Sequence, residues 1–267
     1  MLFSIIIPNY NNSKYIKRCL DSVFNQTLPK TDYEVIFIDD ASTDNSLEVI
    51  QSYDVKLFKN SQNMGAGGAR NKGLDNAIGK YVVFLDSDDN LFDNTVLAKL
   101  ASIINDQDVI YLPYRVIRTD DIIQDNINSE KINLKERIKA DRCLGVVSKC
   151  WSRELLKDVR FVEGVAYEDV GFCINAYCKV KTEGYLDDMF LVYNRVPDSQ
   201  TISDLTVRKQ IDVFTQIFHL FYLIEKYPQY KNELLYRIKM DDLHARLDKI
   251  INVIESGSDH TEIKRWN

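Results

Sequence analysis

The sequence predicts an α/β fold built on a mostly parallel sheet flanked by helices. Three observations carry that expectation. Largely apolar runs of strand length occupy residues 3–7, 33–38 and 81–85, without the polar alternation of a half-exposed strand, as in strands covered on both faces. Between them lie stretches with apolar residues at three- and four-residue spacing, such as Tyr15, Ile16, Cys19, Leu20 and Val23, which mark a helix with one buried face. Runs and helical stretches alternate along the chain, the signature of a βαβ series.

Taken in order, the first run is broken by Pro8-Asn9-Tyr10-Asn11-Asn12, turn residues that precede a helix starting near Ser13. Leu28-Pro29 ends that helix. The second run leads into Asp39-Asp40-Ala41-Ser42-Thr43-Asp44, with Ser42 or Thr43 the expected N-cap of a helix reaching Tyr53. A short strand at residues 55–58 precedes a glycine-dense stretch containing Gly65, Gly67 and Gly68. Such density suits either a flexible loop or backbone lying close to a ligand, and it matches neither the dinucleotide nor the P-loop pattern. A helix over 69–78 then delivers the chain to the run at 81–85. Beyond it the pattern predicts a helix at 95–104, a strand at 109–112, a loop or hairpin tip at 119–129, a return to the core at 143–151, and two short strands within 185–192. From Leu205 the character turns helical, with Ile211, Val213, Phe214, Ile217, Phe218, Leu220, Phe221, Leu223 and Ile224 apolar round most of one helix and a second helix at 231–254. The expected division is a domain over 1–200 and a helical region over 201–267. An apolar surface this broad needs a cover: the first domain, a second copy of the chain or a membrane interface. The scarcity of basic residues on its polar face ranks the membrane last.

Composition excludes several classes. In 267 residues, 34 Lys and Arg face 40 Asp and Glu, a mildly acidic balance that argues against a nucleic-acid binder. Five cysteines without a Cys-x-x-Cys suggest neither a disulfide framework nor a zinc site, and a reducing cytoplasm is expected. The N-terminal apolar run lacks a basic flank and stops at Pro8, so it does not read as a signal peptide. No stretch of about 18 apolar residues is present.

Chemistry concentrates where the run at 81–85 ends, in Asp86-Ser87-Asp88-Asp89. In open α/β sheets ligands bind at the carboxyl ends of strands. Asp86 and Asp88, two apart in extended chain, lie on one face about 6.5–7 Å apart, with room for a hard cation. A solvated turn that caps the next helix is the plainer account of the same residues. Glu168-Asp169 forms a second acidic pair ahead of a helical stretch, and helix capping is its plainer account.

With these pieces in order, the chain resembles the family 2 inverting glycosyltransferases of the GT-A fold. The resemblance is carried by Ser4-Ile5-Ile6-Ile7-Pro8-Asn9-Tyr10-Asn11, the Asp39–Asp44 stretch, Asn63-Met64-Gly65, Ala69-Arg70-Asn71-Lys72-Gly73, Phe84-Leu85-Asp86-Ser87-Asp88-Asp89 and Tyr167-Glu168-Asp169, over about the first 200 residues. It implies a Rossmann-like sheet and a transferase of the hexosyl class. The donor implied is a UDP-sugar, carrying a hexose or N-acetylhexosamine, and the acceptor a hydroxyl of a glycan, glycolipid or glycoprotein. It implies Asp40 as the carboxylate reading uracil, Pro8 and Tyr10 as packing on the base, and Gly65, Arg70 and Asp86 as bordering the nucleotide, with Arg70 on phosphate or ribose. Asp88, with Asp86, matches the metal motif for Mn²⁺ or Mg²⁺. Asp169, with Glu168 second, matches the general base. Trp151 resembles an aromatic platform for the acceptor, with core packing an equal alternative, and Lys149 and Arg195 are further acceptor or phosphate contacts.

Two other functions compete. A haloacid-dehalogenase-type phosphatase also places Asp-x-Asp after a strand, but near the N-terminus, whereas here three βα elements precede it. A subunit that binds sugar nucleotide without catalysis would retain the donor residues, and intact Asp86, Asp88 and Asp169 weigh against it. The expected location is the cytoplasm or the inner face of its membrane, with subunit contact through the C-terminal helices.

Overall fold

The structure, a computed structural model, describes residues 1–117, 123–126, 132–139, 145–195 and 207–240. Its strands are β1 (Phe3–Asn9), β2 (Tyr33–Asp39), β3 (Lys56–Lys59), β4 (Tyr81–Phe84), β5 (Asn90–Leu91), β6 (Val109–Tyr111), β7 (Tyr114–Ile117), β8 (Ile123–Asn126), β9 (Lys149–Ser152), β10 (Glu183–Tyr185) and β11 (Leu191–Asn194). Its helices are α1 (Ser13–Phe24), α2 (Ser46–Val49), α3 (Gly65–Asn76), α4 (Val96–Ile103), α5 (Leu134–Lys139), α6 (Glu168–Tyr177), α7 (Val207–Lys226) and α8 (Lys231–Met240).

Among the described residues the main sheet runs β10-β6-β9-β4-β1-β2-β3. β1 pairs in parallel with β2 and β4, and β2 with β3, as the unbroken apolar runs require. β9 is antiparallel to both neighbours, β4 and β6. A second sheet, β5-β11-β7-β8, includes an antiparallel β7–β8 pair, so the stretch expected as a loop or hairpin tip at 119–129 contains a strand, β8; residues 118–122 and 127–131 lie outside the described ones.

Alternation along each strand sends successive side chains to opposite faces. Ile6, Ile36, Ile38, Val82 and Phe84 enter one core with Phe161, Phe172 and residues of α7, while Ile5, Ile7, Val35, Phe37 and Val83 enter the other beneath α1 and α4. Val213, Ile217, Leu220 and Leu223 of α7 and Leu234 and Ile238 of α8 join the first core. The apolar face of α7 is thus covered by the body of the chain, although Phe218, Phe221 and Tyr222 stay exposed. No helix among the described residues is long and apolar enough to cross a membrane.

Three local expectations are corrected. The glycine-dense stretch is the first turns of α3, not a loop, because Gly67 and Gly68 let the helix approach the Val162 carbonyl and the Met64 side chain. α2 is only a short helix, continued by a 3₁₀ turn at Ile50–Ser52. Its entry is held by Asp44 rather than Ser42 or Thr43: Asp44 Oδ1 accepts from the Ser46 amide at 3.0 Å, and Oδ2 accepts from the Ser13 amide at 2.9 Å, serving two helix starts with one carboxylate.

α3 lies directly on β1 and β2 at Gly73, where a Cβ would meet Ile6 Cγ2 at 2.4 Å and Ile38 Cδ1 at 3.0 Å. Alanine there gains about 1 kcal/mol of helix propensity against ~1–3 kcal/mol of overpacking. Gly73→Ala is expected to lower stability by up to ~2 kcal/mol in urea unfolding; a raised midpoint would contradict this packing.

Candidate active site

β4 ends at the centre of the sheet, and the residues after it turn at once. The Asp89 amide donates to the Asp86 carbonyl at 3.0 Å, closing a turn over 86–89. The Asp88 carbonyl is clasped by the Arg18 guanidinium of α1 and by Asn194 Nδ2 of β11 at 3.2 Å. This anchoring sends the three carboxylates to different places. Asp86 faces Arg70. The Asp88 carboxylate, partly exposed, accepts no hydrogen bond from another residue among the described ones; burial, with the charge of Asp86 adding to it, pushes it up to about 6. Asp89 is fully buried, its Oδ1 accepting from the Asn194 amide at 2.8 Å while Oδ2 has no partner. Burial, then the charges of Asp86 and Asp88, raise it well above the usual carboxylate range. Asp89 is therefore the tie between the turn and β11.

Arg70, on α3, is 4% exposed. One guanidinium nitrogen, Nη2, donates to Asp86 Oδ1 at 2.8 Å; the other, Nη1, donates to Glu168 Oε1 and, at 3.1 Å, to Asp169 Oδ1. The Phe161 ring lies 5.5 Å from its carbon. Burial disfavours the charge, and the carboxylates of Asp86, Asp169 and Glu168 outweigh it. Arg70, expected on phosphate or ribose, thus serves carboxylates with both terminal nitrogens, while its Nε has no partner among the described residues.

Glu168 and Asp169 open α6, where acids suit the positive end of the helix. Tyr167, the residue before them, has φ of 60° and ψ of 30°, a left-handed conformation uncommon for a residue with a Cβ; its ring is exposed. Asp169 Oδ2 accepts from the Val146 amide at 3.0 Å. Burial pushes Asp169 up to about 7, opposed by Arg70 and reinforced by Glu168.

On the nucleotide side, Asp40 is buried at the end of β2. Its oxygens accept from the Met64 amide at 2.9 and 3.1 Å, and Oδ1 also accepts from Asn60 Nδ2 at 2.7 Å. The Met64 carbonyl in turn accepts from the Gly164 amide at 2.9 Å, so one residue links Asp40 to the segment leading to Glu168. Pro8 is buried opposite Ile38, Tyr10 stands exposed at the rim, and Gly65 takes φ of 74° as α3 begins.

Of the two readings of Trp151 the structure shows core packing, and Lys149 is buried as well. Trp151 is fully buried in β9, packed edge-on to Phe172 and against Tyr177, because β9 lies between β4 and β6 and is covered on both faces. Lys149, 1% exposed, donates from Nζ to the Gly145 carbonyl at 2.5 Å and to Ser148 Oγ at 2.9 Å, which closes it off from a substrate. Arg195 is half-buried at the end of β11, its amide donating to the Ile117 carbonyl. The clasp of Arg18 and Asn194 on Asp88 and the Val146 contact went unread, since each joins residues far apart in the chain with no local motif.

Among the described residues no three His, Cys, Asp or Glu side chains converge as a metal cage. The donor set does suit a hard cation that takes one or two carboxylates and completes its shell with phosphate oxygens and water. Asp88 offers a carboxylate that no other described residue occupies, and Asp86 retains Oδ2 after Oδ1 is given to Arg70.

Residues 4–154 match the family described as Glycosyl transferase family 2. The chain is 32% identical over 219 residues to the poly(ribitol-phosphate) beta-N-acetylglucosaminyltransferase TarS of Staphylococcus aureus, covering 78% of this chain and 38% of that protein. It is 32% identical over 165 residues to the UDP-Glc:alpha-D-GlcNAc-diphosphoundecaprenol beta-1,3-glucosyltransferase WfgD of Escherichia coli, covering 60% and 64%. The crystal structure of S. aureus TarS 1–349 in complex with UDP-GlcNAc superposes with a TM-score of 0.71 at 26% identity, covering 82% of this chain and 66% of that one. The main sheet and its helices are accordingly those of a GT-A glycosyltransferase fold. The chain spans well under half the length of full TarS.

The raised Asp88 carboxyl has a consequence for stability. Its folded value of about 6 exceeds an unfolded value of ~3.9, so its contribution is complete below the unfolded value and is lost as pH rises through about 6. In metal-free protein, Asp88→Asn is expected to raise stability at pH 7.5 by ~1–3 kcal/mol and to change it little at pH 4. A urea midpoint lowered at pH 7.5 would contradict the repulsive, desolvated setting of Asp88.

Proposed function

We propose that this chain, which belongs to glycosyl transferase family 2, moves a hexose or N-acetylhexosamine from a UDP-sugar to a hydroxyl of a glycan acceptor, with inversion at the anomeric carbon. The observation that carries the reading is the Arg70 guanidinium, shared between Asp86 at the end of β4 and Glu168 and Asp169 at the start of α6. It brings a diphosphate-side carboxylate and a base into one cluster. Support for the donor comes from the relatives: TarS was crystallised with UDP-GlcNAc, and the name of WfgD specifies UDP-Glc and a lipid-diphosphate-linked sugar.

In this reading the UDP moiety lies across the carboxyl ends of β1, β2 and β4. Pro8 and Tyr10 pack on the uracil ring, and Asp40 accepts from its N3–H while keeping Met64 in place. Asp88, with Asp86, would hold Mn²⁺ or Mg²⁺, which when bound neutralises charge on the departing diphosphate. The acceptor oxygen attacks the anomeric carbon from the side opposite the diphosphate. Its proton passes to Asp169, the bond from the anomeric carbon to the diphosphate oxygen breaks, and UDP leaves with the electron pair. Asp169 suits the role better than Glu168: its side chain is 26% exposed against 14%, and a carboxyl held at about 7 is matched to proton transfer at neutral pH. Arg70 and the Val146 amide each take one Asp169 oxygen, fixing the plane of the base. A cytoplasmic setting fits the buried free cysteines Cys19, Cys150, Cys173 and Cys178, with contact to the inner membrane face where the acceptor is lipid-linked.

Two outcomes test the reading. UDP release from a panel of UDP-sugars, with Mn²⁺ and glycan acceptors, is expected for at least one pair; UDP binding with no turnover across the panel would favour a non-catalytic subunit. Activity should rise through about pH 7 as Asp169 loses its proton, and Asp169→Asn should lower kcat by ~10²–10⁴-fold with UDP affinity retained. A variant with undiminished kcat would remove Asp169 from the role of base.

A further inference from the structure

The catalytic pair sits at the end of a strained turn, and a residue of the C-terminal helix holds that turn. Asp212, on α7 and 7% exposed, accepts a hydrogen bond from the Ala166 amide at 3.0 Å. Ala166 directly precedes Tyr167, whose left-handed backbone sets the direction in which Glu168 and Asp169 leave the loop. α7 also covers the first turn of α6: a Cβ on Gly171 would meet Gln216 Oε1 at 2.8 Å and His219 Cδ2 at 2.9 Å, so the two helices meet too closely there for any side chain. At the far end Tyr227, one residue beyond α7, donates from its hydroxyl to Asn175 Oδ1 at 3.0 Å. The base-bearing helix is thus pinned by the C-terminal region at both ends, and the pin nearer Asp169 is a single carboxylate.

We propose that Asp212 is a positioning residue for the transfer reaction, holding through the Ala166 peptide the turn at Tyr167 that aims Glu168 and Asp169 at Arg70. The inference rests on the reading of Asp169 as the base, and it gives the C-terminal helix a part in catalysis beyond packing. Removing the acceptor atom frees the Ala166 amide and lets Tyr167 relax toward ordinary φ, which swings Asp169 off its line. Displacements of about 1 Å at a reacting group cost up to ~10²-fold in rate.

The test compares Asp212→Ala with Asp212→Asn in the full chain, using steady-state transfer kinetics and calorimetric binding of UDP with Mn²⁺. The alanine variant is expected to lose at least about tenfold in kcat, with the donor KM and the UDP Kd within about twofold of the parent. The asparagine variant keeps an oxygen for the Ala166 amide and should stay within about threefold in kcat. A merely structural role would lower kcat and UDP affinity together. The proposal is overturned if the alanine variant keeps kcat within about twofold, or if the asparagine variant falls as far as alanine, since the loss would then follow the charge and not the hydrogen bond. Should the alanine variant fail to fold, asparagine decides alone: a kcat lower by more than about tenfold overturns the proposal, and retained kcat with Ala166 still protected from amide exchange supports it. Failure of the base reading shows separately, as full kcat in Asp169→Asn.

Discussion

A buried guanidinium has to be answered by carboxylates, and much of the site is arranged round that requirement. Arg70 has almost no access to water and faces Asp86, Glu168 and Asp169. A single missing partner at such a charge costs several kcal/mol, ~3–5 where the loss is clean. The cluster therefore fixes the mutual placement of three elements that come from distant parts of the chain: α3, the turn after β4 and the start of α6. With three carboxylates against one cation the balance leaves excess negative charge. Burial is the main reason why Asp169 is held at about 7 and Asp88 at about 6, with the charge of Glu168 adding to it at the first and that of Asp86 at the second. The same imbalance makes the turn after β4 receptive to a cation.

The rest of the site works by backbone. Asp40 grips the Met64 amide, the Met64 carbonyl receives the Gly164 amide, and Gly65 and Gly164 both take positive φ where these segments meet, with a Cβ on Gly65 falling 3.6 Å from Gly164. A change at the Asp40 carboxylate has a short covalent and hydrogen-bonded route to the segment that carries Tyr167 and the acidic pair. Asp212 holds the same segment at the Ala166 amide. Two such holds on one segment are what a transfer reaction asks of a base, whose contribution depends on alignment more than on basicity.

Much of the frame is legible in the sequence because it depends on periodicity. The runs that became β1, β2 and β4 lack alternation and are buried on both faces, and Asp86 and Asp88 fall at the carboxyl end of a central strand, where they were expected. Trp151 was not legible, because nothing local marks β9 as an antiparallel strand wedged between β4 and β6. The carboxylates around Arg70 are not legible locally, since they stand 16, 98 and 99 residues away and only the fold assembles them. Asp89, left open from sequence, is settled by Asn194, 105 residues on. The glycines at 65–68 looked like a loop because composition reports their freedom, whereas close packing against Val162 and Met64 explains their presence in a helix.

Arg70 organises the carboxylates of Asp86, Glu168 and Asp169, and we propose that it does so without holding the nucleotide. Lysine at this position keeps the charge but cannot serve Asp86 on one nitrogen and the acidic pair on another, so the kinetics of Arg70→Lys across pH test the claim directly. The account expects kcat to fall by at least about tenfold and the acidic limb of the profile to move above pH 7, as Asp169 loses part of its stabilising partner, with the donor KM nearly unchanged. A raised donor KM with kcat and the limb unaltered would contradict it and return Arg70 to the nucleotide.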